Sequence, residues 1–406
     1  MILNYLKIAI RSLKKNRAFS AINIFGLAIG LSCCMLIMAY ITHETSYDRQ
    51  SPDADRIYRI GIHMNQNGGT ADYPAVDGGV GPGVRSIYPE VVDVTRFLPA
   101  DPGYVKVGDR VFKEKKIALC DSNFLRFFSI PLIAGDPKTA LAGPGVVVTK
   151  ELARKYFGDT PALGKSLPIF GQSKITGIID RLPGNMHFHF DAFVFGNFHS
   201  TTWSNIGFYT YLKLAKNADP TKLEVKFPDL VMKYIVPESV HDMGISLAEA
   251  RKSASDWHFY LMPVTEIHLY SHSKYELEPN GDIQYIYIFG ALALFILLLA
   301  CLNFANLATA SSAQRAREVG IRKVLGSLRS QLIGQFLAES VVLAFVSMLV
   351  ALLAVSLLLP LFNELSGKHF EFSFFLRPGN LVFATLLAVA VGTLSGLYPA
   401  FFLSAF

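Results

Sequence analysis

Along most of the chain apolar and polar positions alternate or recur at helical spacing, but four stretches lose the polar phase entirely. Residues 18–42, 283–308, 340–363 and 381–406 contain no Asp, Glu, Lys or Arg. Each matches or exceeds the roughly 20 residues a helix needs to cross a bilayer. A charge at mid-bilayer costs about 2.5–3.5 kcal/mol, so four charge-free runs predict four transmembrane helices. Their boundaries are taken as 18–42, 283–308, 333–363 and 381–406.

Between the first two runs the pattern changes to short alternating segments punctuated by Gly and Pro. Tyr104-Val105-Lys106-Val107, Gly108-Asp109 and Arg110-Val111-Phe112 read as a hairpin. Val146 to Val148 read as a strand, after which Thr149 caps a helix from Lys150 to Tyr156 that Gly158 stops. Mixed strands and helices over residues 43–282 make an α+β domain of about 240 residues, large enough to bury its own core. The fold class is therefore membrane α-helical, with four transmembrane helices and an α+β extracytoplasmic domain.

Charge fixes the expected orientation. Lys7, Arg11, Lys14, Lys15 and Arg17 precede the first run, and Arg315, Arg317, Arg322, Lys323 and Arg329 lie between the second and third. Basic loops stay in the cytoplasm, which puts residues 43–282 and the short loop 364–380 outside and the N-terminus inside. Leu3, Leu6, Ile10 and Leu13 share one helical face and Lys7, Arg11 and Lys14 the other, so residues 1–17 are read as an interfacial elbow helix. No A-x-A pattern follows the first run, which is taken as an uncleaved anchor. The net charge of +6 sits largely beside the apolar runs, where lipid headgroups explain it and nucleic acid is not needed. Of four cysteines, only Cys120 lies in the globular part, so there is no disulfide framework.

Two constellations imitate chemistry. Residues 158–166, with Gly164-Lys165-Ser166, look like a phosphate loop, but five residues separate the glycines where the motif has four, and a helix precedes them where a strand is required. His187, His189 and Asp191 alternate, and in a strand they would share one face. Three ligands fall short of a structural zinc site, so residues 186–194 are read as a half-exposed polar strand. No nucleophile, base and orienting acid stand at a recognisable spacing; neither an enzyme, a cofactor nor a metal site is expected.

Residues 314–326, within a cytoplasmic loop taken as 309–332, carry the densest information. Ile321, Val324, Leu325 and Leu328 recur at helical spacing among Arg315, Arg317, Glu318, Arg322 and Lys323, and Gly326 ends the helix. Such a piece lies on lipid or docks a soluble partner, and charge of both signs favours docking.

At these residues the sequence resembles the permease family that contains MacB-type macrolide exporters, lipoprotein-releasing permeases and the cell-division protein FtsX. The match is carried by Asn303-Phe304-Ala305-Asn306-Leu307, by the run from Gln314 through Arg317-Glu318-Val319-Gly320-Ile321-Arg322-Lys323 to Gly326, and by Glu339. Asn16 to Ser20, His43-Glu44-Thr45-Ser46-Tyr47-Asp48, Asp55 to Arg59, and Leu182-Pro183-Gly184-Asn185 support it. The resemblance implies a subunit of an ATP-binding-cassette transporter whose ATPase is a separate chain, since no Walker motif is present. It implies that Arg315, Arg317, Glu318, Val319, Gly320, Ile321, Arg322, Lys323 and Gly326 meet that ATPase, and that Asn303, Asn306 and Glu339 are structural residues at span ends. Implied partners are the ATPase, membrane lipid, a second permease unit and, for an exporter, a periplasmic adaptor. The expected action is mechanotransmission, export or extraction of a hydrophobic or peptide-like substrate; the alternative is a regulatory subunit that senses a ligand or activates a cell-wall hydrolase. The chain stops at Phe406 without the family's basic tail, which suggests the first half of a longer protein or a truncated one.

Overall fold

The computed structural model describes residues 17–66, 69–171, 173–310, 321, 324 and 328–405. In chain order, helix α1 (Arg17–Thr45) leads to strands β1 (Ile57–Gln66) and β2 (Gly69–Tyr73), then helix α2 (Val80–Ile87) and β3 (Val91–Ala100). There follow β4 (Gly103–Val107), β5 (Arg110–Glu114), β6 (Ile117–Cys120), β7 (Leu132–Gly135), β8 (Gly145–Thr149) and helix α3 (Lys150–Phe157). Next come β9 (Ser166–Leu167), β10 (Ser173–Ile179), β11 (Ala192–Phe195), β12 (Tyr209–Leu214), helices α4 (Val236–Met243) and α5 (Leu247–Ser253), β13 (His258–Pro263) and α6 (Ile267–Tyr270). Helices α7 (Ile283–Ala310), α8 (Arg329–Ser366) and α9 (Pro378–Ala405) complete the described chain. It divides into two compact units, His43–Ile283 and the four long helices.

Those four helices are long and apolar enough to cross a membrane. In lipid there is no hydrophobic drive to associate, so close backbone approach and van der Waals contact must hold them. Leu27, Leu31, Met35 and Ala39 form a buried i, i+4 stripe on α1, packed in one cluster with Cys301 and Phe304 of α7, Ala351 and Val355 of α8, and Ala388 and Val391 of α9. Three glycines permit this. A Cβ at Gly30 would stand 2.8 Å from Ala300 Cβ, and one at Gly392 would stand 2.6 Å from Val341 Cα. A Cβ at Gly396, one turn on from Gly392, would stand 2.6 Å from Ser340 Oγ.

In the other unit eleven strands form one mixed sheet in the order β13-β1-β12-β3-β6-β11-β8-β10-β7, with β2 beside β1 and β9 beside β10. The pairs β8/β10 and β6/β11 are parallel and the others antiparallel. The predicted hairpin forms as β4–β5, separate from the large sheet, with Gly108 at φ +60 in its turn. Thr149 caps α3 by accepting from Leu152 N, and Gly158 at φ +62 ends it, a backbone region costly to residues with a Cβ. Phe97, Phe124, Phe188, Phe193 and Tyr211 fill the main core, and burying each large side chain contributes about 1.5–3 kcal/mol.

Candidate functional site

Most of the proposed ATPase contact, namely Arg315, Arg317, Glu318, Val319, Gly320, Arg322, Lys323 and Gly326, lies outside the described residues. Ile321, Val324 and Leu328 of its apolar stripe are described, and all three are exposed, Val324 by 88%. Among the span-end residues, Asn303 packs its amide against Gly26 of α1, where a Cβ would come within 3.2 Å of Nδ2. Asn306 is exposed. Glu339 is buried in α8 and accepts from Gln335 Nε2 at 3.1 Å, one turn earlier, which satisfies part of a carboxylate that lipid would not solvate.

The phosphate-loop lookalike is built into the sheet. Gly164 N donates to Ile175 O at 2.7 Å and Lys165 N to Ala162 O at 3.1 Å, so these amides do not converge on an open cradle. The Lys165 ammonium lies 4.7 Å from the centre of the Phe157 ring.

The strand expected across residues 186–194 is a correction. Regular pairing is confined to Ala192–Phe195, and residues 186–191 are irregular. Backbone and side chains here are engaged by another part of the chain: Asp48 N donates to Asn185 O at 2.9 Å, and His187 N donates to Asp48 Oδ1 at 3.3 Å. His187 is buried rather than half-exposed, its Nδ1 2.7 Å from Asp48 Oδ1 and its Nε2 2.7 Å from the Tyr211 hydroxyl. His189 pairs instead with Glu278, 2.9 Å from Nδ1 to Oε2, and with Pro183 O at 2.9 Å. Asp191 starts the ladder by donating its N–H to Lys116 O, and burial pushes its carboxyl above the usual range. The two histidines therefore serve different partners and Asp191 is held through its backbone, and among the described residues no group of three or more His, Cys, Asp or Glu is arranged to hold a metal.

These contacts belong to a larger network that sequence reasoning missed. Both chain segments that join the domain to helices α1 and α7 are fastened by buried polar pairs. Near α1, Glu44 Oε2 meets His268 Nε2 at 2.8 Å, and the Tyr47 ring stacks on His268 with centroids 3.4 Å apart. Near α7, the fully buried Arg59 holds Glu276 through two hydrogen bonds of 2.7 Å each. The available signal was the cluster His43 to Asp48 with Leu182 to Asn185, which marked the family but not the contact between them.

Four helices long and apolar enough to cross a membrane, with a mixed-sheet domain inserted after the first, define the class as a membrane protein with a large inserted domain. The profile of the MacB-like periplasmic core domain matches residues 20–230, and that of the FtsX-like permease C-terminal domain matches residues 290–405. The chain belongs to the FtsX-like permease family of ABC transporters with a MacB-like periplasmic core domain. The family is one of transporter permeases rather than enzymes and implies an ATPase partner.

Among its relatives is the uncharacterized ABC transporter permease YvrN of Bacillus subtilis, 23% identical over 98% of this chain and 96% of that protein. YknZ of the same organism is 26% identical over 63% of this chain and 59% of that one. The macrolide export ATP-binding/permease protein MacB of Agrobacterium fabrum is 27% identical, over 28% of this chain but only 17% of that exporter. Of solved structures, a domain of a putative permease from Porphyromonas gingivalis covers 52% of this chain and 92% of its own, at 24% identity and TM-score 0.42. The extracellular domain of YknZ covers 51% and 99%, at 12% identity and TM-score 0.33.

Proposed function

We propose that this chain is the permease subunit of an ABC transporter, converting ATP hydrolysis by a separate cytoplasmic ATPase into movement of the domain His43–Ile283. The cargo is a hydrophobic or peptide-like molecule exported or extracted at the outer face, a class consistent with the macrolide named for its relative MacB. The chain sits in the bacterial inner membrane with its N-terminus in the cytoplasm, because both basic clusters flank the spans on one side. A second permease unit and a periplasmic adaptor complete the assembly.

The observation that carries this reading is the amphipathic segment 314–326 between α7 and α8, which carries charges of both signs and whose described apolar positions Ile321 and Val324 are exposed at 57% and 88%. Apolar side chains so exposed gain by being covered, and the charges of both signs around them suit a protein surface better than lipid. Replacing Val319 or Ile321 by Asp puts an unpaired carboxylate into the contact, at a cost of several kcal/mol. Assembly with the ATPase should fail while expression and membrane insertion persist. Undiminished co-purification with the ATPase and normal stimulation of hydrolysis would refute the contact and favour the regulatory alternative.

A further inference from the structure

The domain joins its flanking helices through two segments that are not strands of the sheet. Residues 46–50 follow α1, and residues 271–282 connect α6 to α7 without any helix or strand. Irregular backbone of this kind normally frays, because no ladder protects it. Here side chains, with single backbone bonds from Asp48 N to Asn185 O and from Lys274 N to Asp72 O, replace the ladder.

The incoming strap, 46–50, is tied mainly to residues 185–187. Asn185 Nδ2 donates to Ser46 O at 3.0 Å and Gln50 Nε2 donates to Asn185 Oδ1 at 2.8 Å, beside the Asp48–His187 pair. Asp48 is held at φ +57, a conformation that a non-glycine residue keeps only where its surroundings over-determine it. The outgoing strap, 271–282, is tied by Arg59 to Glu276 and Ser271, by Tyr209 to Tyr275 O, and by His189 to Glu278. His187 and His189 thus stand two residues apart and hold different straps.

The residues that flank the straps also meet, against the end of the outgoing one. His268, on the short helix that opens the outgoing strap, pairs with Glu44, and a Cβ at Gly281 would stand 2.9 Å from Glu44 Oε2 and 3.0 Å from His268 Nε2. Glu44, His268, Asp48 and His187 are all buried. Breaking a buried polar pair leaves an unsatisfied group in low dielectric, so each tie is costly to open alone.

We propose that residues 183–189 and the Glu44–His268–Gly281 contact buckle the two straps into one mechanical piece, and that Asp48–His187 and Glu44–His268 are positioning pairs through which displacement of the helices reaches the domain. The second half of this statement rests on the permease reading above. The first half does not.

Hydrogen exchange of the full chain in lipid nanodiscs tests the buckle. In the wild type, amides of both straps should be as protected as those of β3. His187→Ala or His268→Ala should accelerate exchange in both straps together, by about tenfold or more, with β3 and β8 unchanged. His187→Asn and His268→Gln, which keep a donor at the place of Nδ1 and Nε2, should restore protection. If an alanine variant unfolds, seen as loss of protection in β3, Gly281→Ala gives the same reading by crowding the Glu44–His268 pair. Acceleration confined to the strap carrying the substitution overturns the buckle. Coupling is read on the complex with the ATPase: a non-hydrolysable ATP analogue should alter domain exchange in the wild type and the Asn and Gln variants, and not in the alanine variants, while ATP turnover stays within about twofold. Alanine variants that still pass the nucleotide signal refute the positioning role. A wild type with no nucleotide response refutes the permease reading and the positioning role with it, and the buckle is then judged on its own exchange data.

Discussion

Glu276→Ala would leave the Arg59 guanidinium buried without a carboxylate. The pair is bidentate, at 2.7 Å through both nitrogens, with Arg59 wholly buried and Glu276 side chain 12% exposed. Removing one partner of such a pair costs about 3–5 kcal/mol, and the slight exposure of Glu276 places the expectation near the lower end, about 3 kcal/mol. Both tryptophans of the chain, Trp203 and Trp257, lie in the domain, so tryptophan fluorescence of the full protein reports on this unit without interference from the helices. A domain of this size should unfold in urea with a slope of about 3 kcal/mol per M, so the midpoint should fall by about 1 M. Replacing the charges together, Arg59→Met with Glu276→Leu, removes the unpaired cation and should recover most of the loss. A midpoint shift under about 0.3 M, or a double variant as unstable as Glu276→Ala, would show that water reaches Arg59 and that the pair is not a buried tie.

Burial, the largest single influence, would lower the His189 imidazole, but the hydrogen bond and charge of Glu278 together with the Pro183 carbonyl outweigh it and raise the group above 6.5; burial would likewise raise Glu278, but the hydrogen bonds and charge of His189 together with the Lys116 charge lower it below 4.5. The pair's stabilisation is therefore complete between about pH 4.5 and 6.5, is lost as pH rises through the His189 value, and is lost again as pH falls through the Glu278 value. Urea unfolding of Glu278→Gln against wild type should show its largest difference near pH 5.5 and a smaller one at pH 8.5; a pH-independent difference would count against the ion pair. Gly392→Ala should cost about 1–3 kcal/mol in thermal unfolding of the solubilised protein, since its Cβ meets the Val341 backbone at 2.6 Å, whereas Gly379→Ala meets nothing within 4 Å and should be neutral. Thiol labelling from outside intact cells should modify Asp109→Cys and spare Ser327→Cys, and strong labelling of the latter would overturn the orientation.

What was legible in the sequence was what local chemistry decides. Charge-free runs mark the four long helices because one ionised side chain at mid-bilayer outweighs several favourable residues, and Thr149 and Gly158 bracket α3 because cap and stop signals act within one turn. The hairpin β4–β5 was readable for the same reason. Residues 186–191 were misread because their alternation is real but irrelevant: His187 answers to Asp48, which lies far away in sequence, and His189 to Glu278. Nothing in single-sequence periodicity announces such pairs. The order of the sheet, with β12 beside β1 and β8 beside β11, is likewise set by long-range register. The residues expected at the ATPase contact were singled out by pattern and resemblance, and only Ile321 among them has a described position.

The neighbouring places of β1 and β13 in the sheet have a consequence for how such proteins diversify. The first strand after α1 pairs along residues 58–63 with the last strand before α7, so the domain begins and ends on adjacent strands. A domain whose two ends lie close together can be inserted into a host chain, exchanged or enlarged without altering what flanks it. Changes of loop, of the β4–β5 hairpin or of helices α4 and α5 leave both junctions with the long helices unaltered, and new domain surfaces can arise by recombination at two breakpoints near residues 43 and 283. Lineages of this architecture can thus acquire different inserted domains while inheriting one set of membrane helices.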